Sequence, residues 1–125
     1  MSVWRRKAIE CLPKIQKELE QPDANIYTVF MELLPATIEA HRAGDSESLK
    51  KYYGFAEWCF EQKEKDLWNA AGVSFYEHLG DQDETLIAMP KWVKKEIYRD
   101  IRGLLELMVS DDKMKKLDNN YNSVS

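Results

Sequence analysis

The spacing of the apolar residues constrains this chain more than any other feature. Along almost the whole sequence they recur every three or four positions, the pitch of an amphipathic helix. No stretch alternates apolar and polar as a half-buried strand does. Thr is scarce, and neither Asn-Gly nor Asp-Gly occurs to close a hairpin. The spacing therefore predicts an all-α protein, and 125 residues suffice for one compact domain.

Five helical segments account for most of the chain. The first, from about Val3 to Glu20, carries Trp4, Ala8, Cys11, Leu12, Ile15 and Leu19 on one stripe. Pro13 should kink or restart it, because proline lacks the N–H and crowds the carbonyl four residues back. Asp23 is the expected cap of the second, about Ala24 to Ala43. Its apolar face holds Tyr27, Phe30, Met31, Leu34, Ile38 and His41, Pro35 should bend it, and Gly44 should stop it. Asp45 or Ser46 caps the third, about Glu47 to Gln62, with Leu49, Tyr52, Tyr53, Ala56, Cys59 and Phe60 on one stripe and Phe55 and Trp58 outside it.

The fourth segment, about Asp66 to Leu79, is apolar nearly all round, which predicts a central helix packed on several sides. An acidic loop, Gly80-Asp81-Gln82-Asp83-Glu84, should follow. The fifth, about Pro90 to Val109, places Pro90 in its first turn and Val93, Ile97, Ile101, Leu104, Leu105 and Met108 on its stripe. A short helical turn over 113–117 and a frayed tail from Asp118 to Ser125 complete the expectation. Short connections make neighbouring helices antiparallel. The expected architecture is thus about five helices in antiparallel hairpins, HEAT-like or an irregular bundle. One domain covers 1–110, and 111–125 forms a short turn and flexible tail. Phe30, Phe55 and Phe75 each open a Phe-x-Glu triplet, but the spacings are irregular, so this is no regular repeat.

Composition narrows the function. Eighteen Lys and Arg against 22 Asp and Glu give a net charge of -4, which argues against nucleic-acid binding and permits a basic partner. No apolar run is long enough for a membrane span. No secretory signal is evident, which points to the cytoplasm. Cys11 and Cys59 read as buried free thiols, and with His41 and His78 they lack the spacing of a zinc site, so no metal or other cofactor is expected.

No phosphate loop, dinucleotide turn or hydrolase motif occurs. Glu57 and Glu77, within the most apolar helices, could serve with His78 as an acid–base set. The simpler reading is carboxylates at the margin of a packed face and histidines at helix C-termini. Fourteen aromatic residues, four of them Trp, exceed what a small core needs. Trp68 and Trp92 are the expected surface aromatics, and beside Asp81, Asp83 and Glu84 they would form a partner-binding surface.

The segments Gly54-Phe-Ala-Glu-Trp-Cys-Phe60 and Leu67-Trp-Asn-Ala-Ala-Gly-Val-Ser-Phe-Tyr-Glu-His-Leu79 resemble an uncharacterised bacterial family of small all-helical proteins. Asn69, Ala70, Val73, Ser74, Phe75, Glu77 and Leu79 carry the likeness, which spans roughly Leu12 to Met108. Families of this kind are suspected of neutralising bacterial toxins as immunity proteins. The expectation is therefore a non-enzymatic protein-binding module of the cytoplasm, an immunity protein in its sharper form, with a basic toxin domain as partner. A monomer or weak homodimer, no nucleic acid and no membrane complete it. A structural or oligomerisation protein using the fifth segment, and an enzyme built on Glu57, Glu77 and His78, are the alternatives.

Overall fold

The computed structural model describes residues 2–123, and among them every regular element is helical. There are eight α-helices where the spacing suggested about five. They are α1 (Val3–Cys11), α2 (Gln16–Leu19), α3 (Ile26–Ala43), α4 (Ser46–Phe60), α5 (Lys65–Ala71), α6 (Asp83–Trp92), α7 (Lys95–Glu106) and α8 (Asp111–Ser123). The difference has three sources: a divided first segment, a separate helix over Asp83–Trp92 and a helix in place of the expected tail. Pro13 divides the first segment: α1 stops at Cys11, a 3-10 turn spans Pro13–Ile15, and α2 restarts the stripe.

Cap chemistry sets the bounds of α3 and α4. Asn25, not the expected Asp23, begins α3. Its side chain accepts from the Tyr27 and Thr28 amides at 2.9 and 3.3 Å, and Thr28 Oγ1 accepts in return from the Asn25 amide at 3.2 Å. This reciprocal box satisfies donors that a helix start leaves open. The helix continues through Pro35. One turn along, the fully buried Thr37 hydroxyl donates to the Leu33 carbonyl at 2.8 Å. Gly44 ends α3 in the left-handed region, at φ 65°, where a Cβ would be strained. Asp45 then caps α4, accepting from the Ser48 amide at 3.1 Å.

The core runs through the middle of the chain. α5 continues through a π turn (Gly72–Tyr76) and a 3-10 turn (Glu77–Asp81) as one helical path, and it is as enclosed as expected. Ala70, Ala71, Phe75, Tyr76 and Leu79 are all buried. The wider π turn narrows the angle between successive residues, so the adjacent rings of Phe75 and Tyr76 both face the interior. The irregular Phe-x-Glu triplets converge here: Phe30 lies 5.8 Å from Phe55 and 5.9 Å from Phe75, centroid to centroid. Phe55, placed outside the apolar stripe by its spacing, is only 3% exposed. α4 is covered on more than one side, because α1 packs on it as well as α3 and α5.

The C-terminal third departs most from expectation. The acidic loop contracts to one extended residue, Gln82, and Asp83 and Glu84 form the first turn of α6, where carboxylates suit the helix dipole. Pro90 sits in the last turn of α6 and does not begin a helix. Val93 is extended and separates α6 from α7. Gly80 is a close-packing glycine: a Cβ there would stand 2.7 Å from Val109 Cγ2 and 3.2 Å from Leu105 Cδ2. In α7, Ile97, Tyr98, Ile101 and Leu105 are buried, while the expected stripe member Met108 is 66% exposed beyond the helix end.

The expected short turn and frayed tail is a 13-residue helix instead, burying Met114, Leu117 and Tyr121. Val124 and Ser125, the end of that expected tail, lie outside the described residues. α8 is fixed by directed bonds. Arg102 holds Asp118 in a two-pronged ion pair, Nε to Oδ1 at 2.9 Å and the terminal nitrogen to Oδ2 at 2.7 Å. Arg102 keeps the Asp118 carboxyl below its ordinary range, and the Tyr98 hydroxyl donates to the same group. Tyr98 and Tyr121 stack with centroids 4.0 Å apart. The Tyr121 hydroxyl donates to the Val93 carbonyl at 2.7 Å, with the Met89 carbonyl at 3.1 Å, and so serves the carbonyl groups at the end of α6.

Candidate protein-binding surface

The five residues singled out as a partner surface do not come together. Asp81, Asp83 and Glu84 cluster at the start of α6, and each already has a partner. Asp81 pairs with His78 and Asp83 with Lys113, both at 2.8 Å, and Glu84 pairs with Arg42 at 3.2 Å. Trp92, at the other end of α6, is not the exposed aromatic expected. It is half-buried, stacked 5.5 Å from Tyr53. Trp68 is 39% exposed but stands 13 residues before Asp81 along one helical path, about 20 Å at the α-helical rise.

Behind Trp92 lies a polar contact within the aromatic core. His41 Nε2 and the Tyr53 hydroxyl are 2.7 Å apart, with the rings edge to face. Burial holds the His41 imidazole below its ordinary pKa, partly offset by Glu84, and burial raises the Tyr53 phenol. Both effects favour a neutral imidazole accepting the Tyr53 proton.

Glu57, Glu77 and His78 are not assembled around a cleft. Glu57 is 3.2 Å from Lys94 Nζ, which also donates to Glu61 at 2.7 Å. His78 is engaged by Asp81, and none of the clefts between α1 and α4, α3 and α4, α6 and α8, or α7 and α8 is lined by any of the three. Cys11 and Cys59 are both free. Cys59 is buried and Cys11, expected to be, is only half so. Desolvation pushes the Cys11 thiol up to about 11 and the Cys59 thiol up to about 12, the reverse of what a nucleophilic thiolate needs.

An aromatic cleft lies at another corner. A cleft of about 510 Å³ separates the start of α1 from the α4–α5 connection. Trp4 and Trp58 line it, with Val3 and Leu67 between them and Asn25, Gln62, Glu64 and Asp66 on the rim. Trp68 follows Leu67 in the chain but does not line the cleft, so two of the four tryptophans mark this corner. Val3 is 47% exposed. Arg5 lies 4.7 Å above the Trp4 ring and Lys7 5.2 Å above Trp58. Arg5 also donates to the Ala24 carbonyl, while its Nε and the Ser2 hydroxyl are buried without partners in the protein. Among the described residues, Glu64 and Asp66 have no ion-pair partner. Sequence reasoning missed this corner because Trp4 and Trp58 belong to different helical segments, 54 positions apart.

Residues 5–108 match the model of a domain of unknown function, DUF7674. The chain belongs to the DUF7674 family. Both segments behind the family resemblance, 54–60 and 67–79, fall inside the matched stretch. Within this DUF7674 chain the groove walls Trp58 and Leu67 are inside the match, and α8 is wholly beyond it. No curated protein and no solved structure matches the chain.

Proposed function

We propose that this protein is a non-enzymatic binding module that receives a basic protein segment in the Trp4–Trp58 cleft. One observation carries the reading: two of the four tryptophans, Trp4 and Trp58, line a cleft whose acids, Glu64 and Asp66, have no ion-pair partner among the described residues. Aromatic walls supply area at low entropic cost, and unpaired rim carboxylates steer a cation toward it. The acids at 81–84 fit this role less well, since Lys113 and Arg42 already offset Asp83 and Glu84 and His78 engages Asp81.

In its sharper form the partner is a basic toxin domain, and the protein is an immunity protein of the bacterial cytoplasm that covers the toxin's active site. The test is co-purification and growth rescue with the product of a toxin gene encoded beside it. Trp4→Ala with Trp58→Ala should weaken the complex by at least about tenfold, and Glu64→Lys with Asp66→Lys should lower the association rate and its salt dependence. Absence of both binding and rescue overturns the immunity reading. A complex that ignores all four substitutions but fails on altering Asp83 and Glu84 overturns the choice of surface.

A further inference from the structure

We infer that the partner docks as an amphipathic helix laid along the furrow between α1 and α4, with a carboxylate in its first turn and a cation in its last. This partner class rests on the binding role proposed above and narrows it from a basic segment to one carrying both signs.

Two clefts make up the furrow, and Trp58 lines both. α1 and α4 run antiparallel along it. Lys7 stands over Trp58, and one turn further along α1 the Cys11 thiol donates to the carbonyl of Lys51, seven residues back along α4, at 3.5 Å. On one side of Trp58 is the cleft with Trp4, Glu64 and Asp66, and no Lys or Arg among the described residues lines it. On the other side lies a cleft of about 280 Å³ whose charged lining is Lys7, Lys51 and Glu10. Among the described residues, none of these five charged groups has an ion-pair partner. Elsewhere opposite charges of different helices bond directly, as Arg42 does with Glu84, Arg102 with Asp118 and Lys113 with Asp83. Along this furrow the two lysines and the two acids are kept apart, at opposite ends. A complementary partner therefore sets a carboxylate against Lys7 and Lys51 and a cation against Glu64 and Asp66.

Gly54 points to a helix as the occupant. It lies inside α4 and lines the lysine cleft. Glycine destabilises a helix interior relative to alanine, yet nothing in the protein stands within 4 Å of where its Cβ would be. The fold itself does not call for a glycine there. Gly103 in α7 is equally open but lines none of the clefts described above. A missing side chain in the furrow lets another backbone approach closely. From Lys51 to Gln62 the furrow is about 16 Å long at the helical rise, three turns of a docked helix. A carboxylate in the first turn and a cation in the last is the order that such a helix's own dipole favours. The partner helix thus runs parallel to α4, starting beside Lys51.

Two alanine- and leucine-based helical peptides of about 18 residues test this on the full chain. One carries Glu in its first turn and Arg in its last, and the other carries Arg in both. Fluorescence anisotropy of the labelled peptides should show the two-signed peptide binding at least about tenfold more tightly. Lys7→Glu with Lys51→Glu should reverse that order. Gly54→Ala should raise the urea midpoint of the free protein and yet weaken binding of the two-signed peptide by at least about fivefold. Equal or tighter binding of the all-basic peptide overturns the inference and leaves the binding role of the Trp4–Trp58 cleft standing. Binding of neither peptide overturns both. A Gly54→Ala protein that is less stable, or that binds the two-signed peptide as the wild type does, removes the helix from the furrow.

Discussion

Between α3, α4 and the α5 path, Phe30, Phe55 and Phe75 meet ring to ring with almost no contact with water. α8 is attached otherwise, through three buried side chains and directed polar bonds along its edges. The first region is held by burial, which is non-directional and scales with area. The second adds to a smaller buried area a set of directed bonds, each of which can be lost singly. A protein with both kinds of attachment has a body that unfolds as a unit and an appendage able to leave before it.

The sharpest way to break the comparison is Phe75→Ala. Phe75 is fully buried and contacts Phe30, Tyr53 and Tyr76, so its truncation should cost about 3–5 kcal/mol, read as a lower urea midpoint for the whole molecule. A loss confined to one helix contradicts a single aromatic core. Gly80→Ala attacks the boundary between the regions. The new methyl meets Val109 Cγ2 and should cost about 1–3 kcal/mol, with faster amide exchange in α8 than in α3. Equal changes in both helices count against a separable α8.

Tyr121→Phe keeps the stack on Tyr98 and removes only the hydroxyl at the Val93 carbonyl. It should cost about 1 kcal/mol and raise exchange in α8 alone. The smallest effect concerns His41, whose folded pKa lies below its unfolded value because burial disfavours the imidazolium. Its contribution to stability is therefore complete above the unfolded pKa of about 6.5 and is lost as pH falls through the folded one. Denaturation from pH 7.5 down to 5 should show this decline, and His41→Phe should remove that part of the pH dependence; an unchanged slope in the variant rules the histidine out as its source.

Several of these features are legible without coordinates. The Pro13 break, the Gly44 stop, the Asp45 cap and the enclosure of residues 67–79 each follow from chemistry within a turn or two of the residue concerned. The candidate site was not legible in that way. Trp92 reads as a surface residue near a proline that should start a helix, but Tyr53, 39 positions earlier, stacks on it. Asp81, Asp83 and Glu84 read as a bare acidic loop because His78, Arg42 and Lys113 become neighbours only on folding. Residues 111–123, largely polar, look like a tail until Arg102, Tyr98 and the end of α6 provide a seat.

The sequence by itself determined that this chain is helical, where its strongest breaks fall and which side chains supply most of the core. Pitch, capping and proline act over a few residues, so their consequences can be read locally. Only the tertiary structure decided that three distant phenylalanines touch, that a largely polar C-terminal stretch docks as α8 and that the tryptophan corner is open. Those outcomes depend on which faces pack together, and that is settled by contacts between residues tens of positions apart.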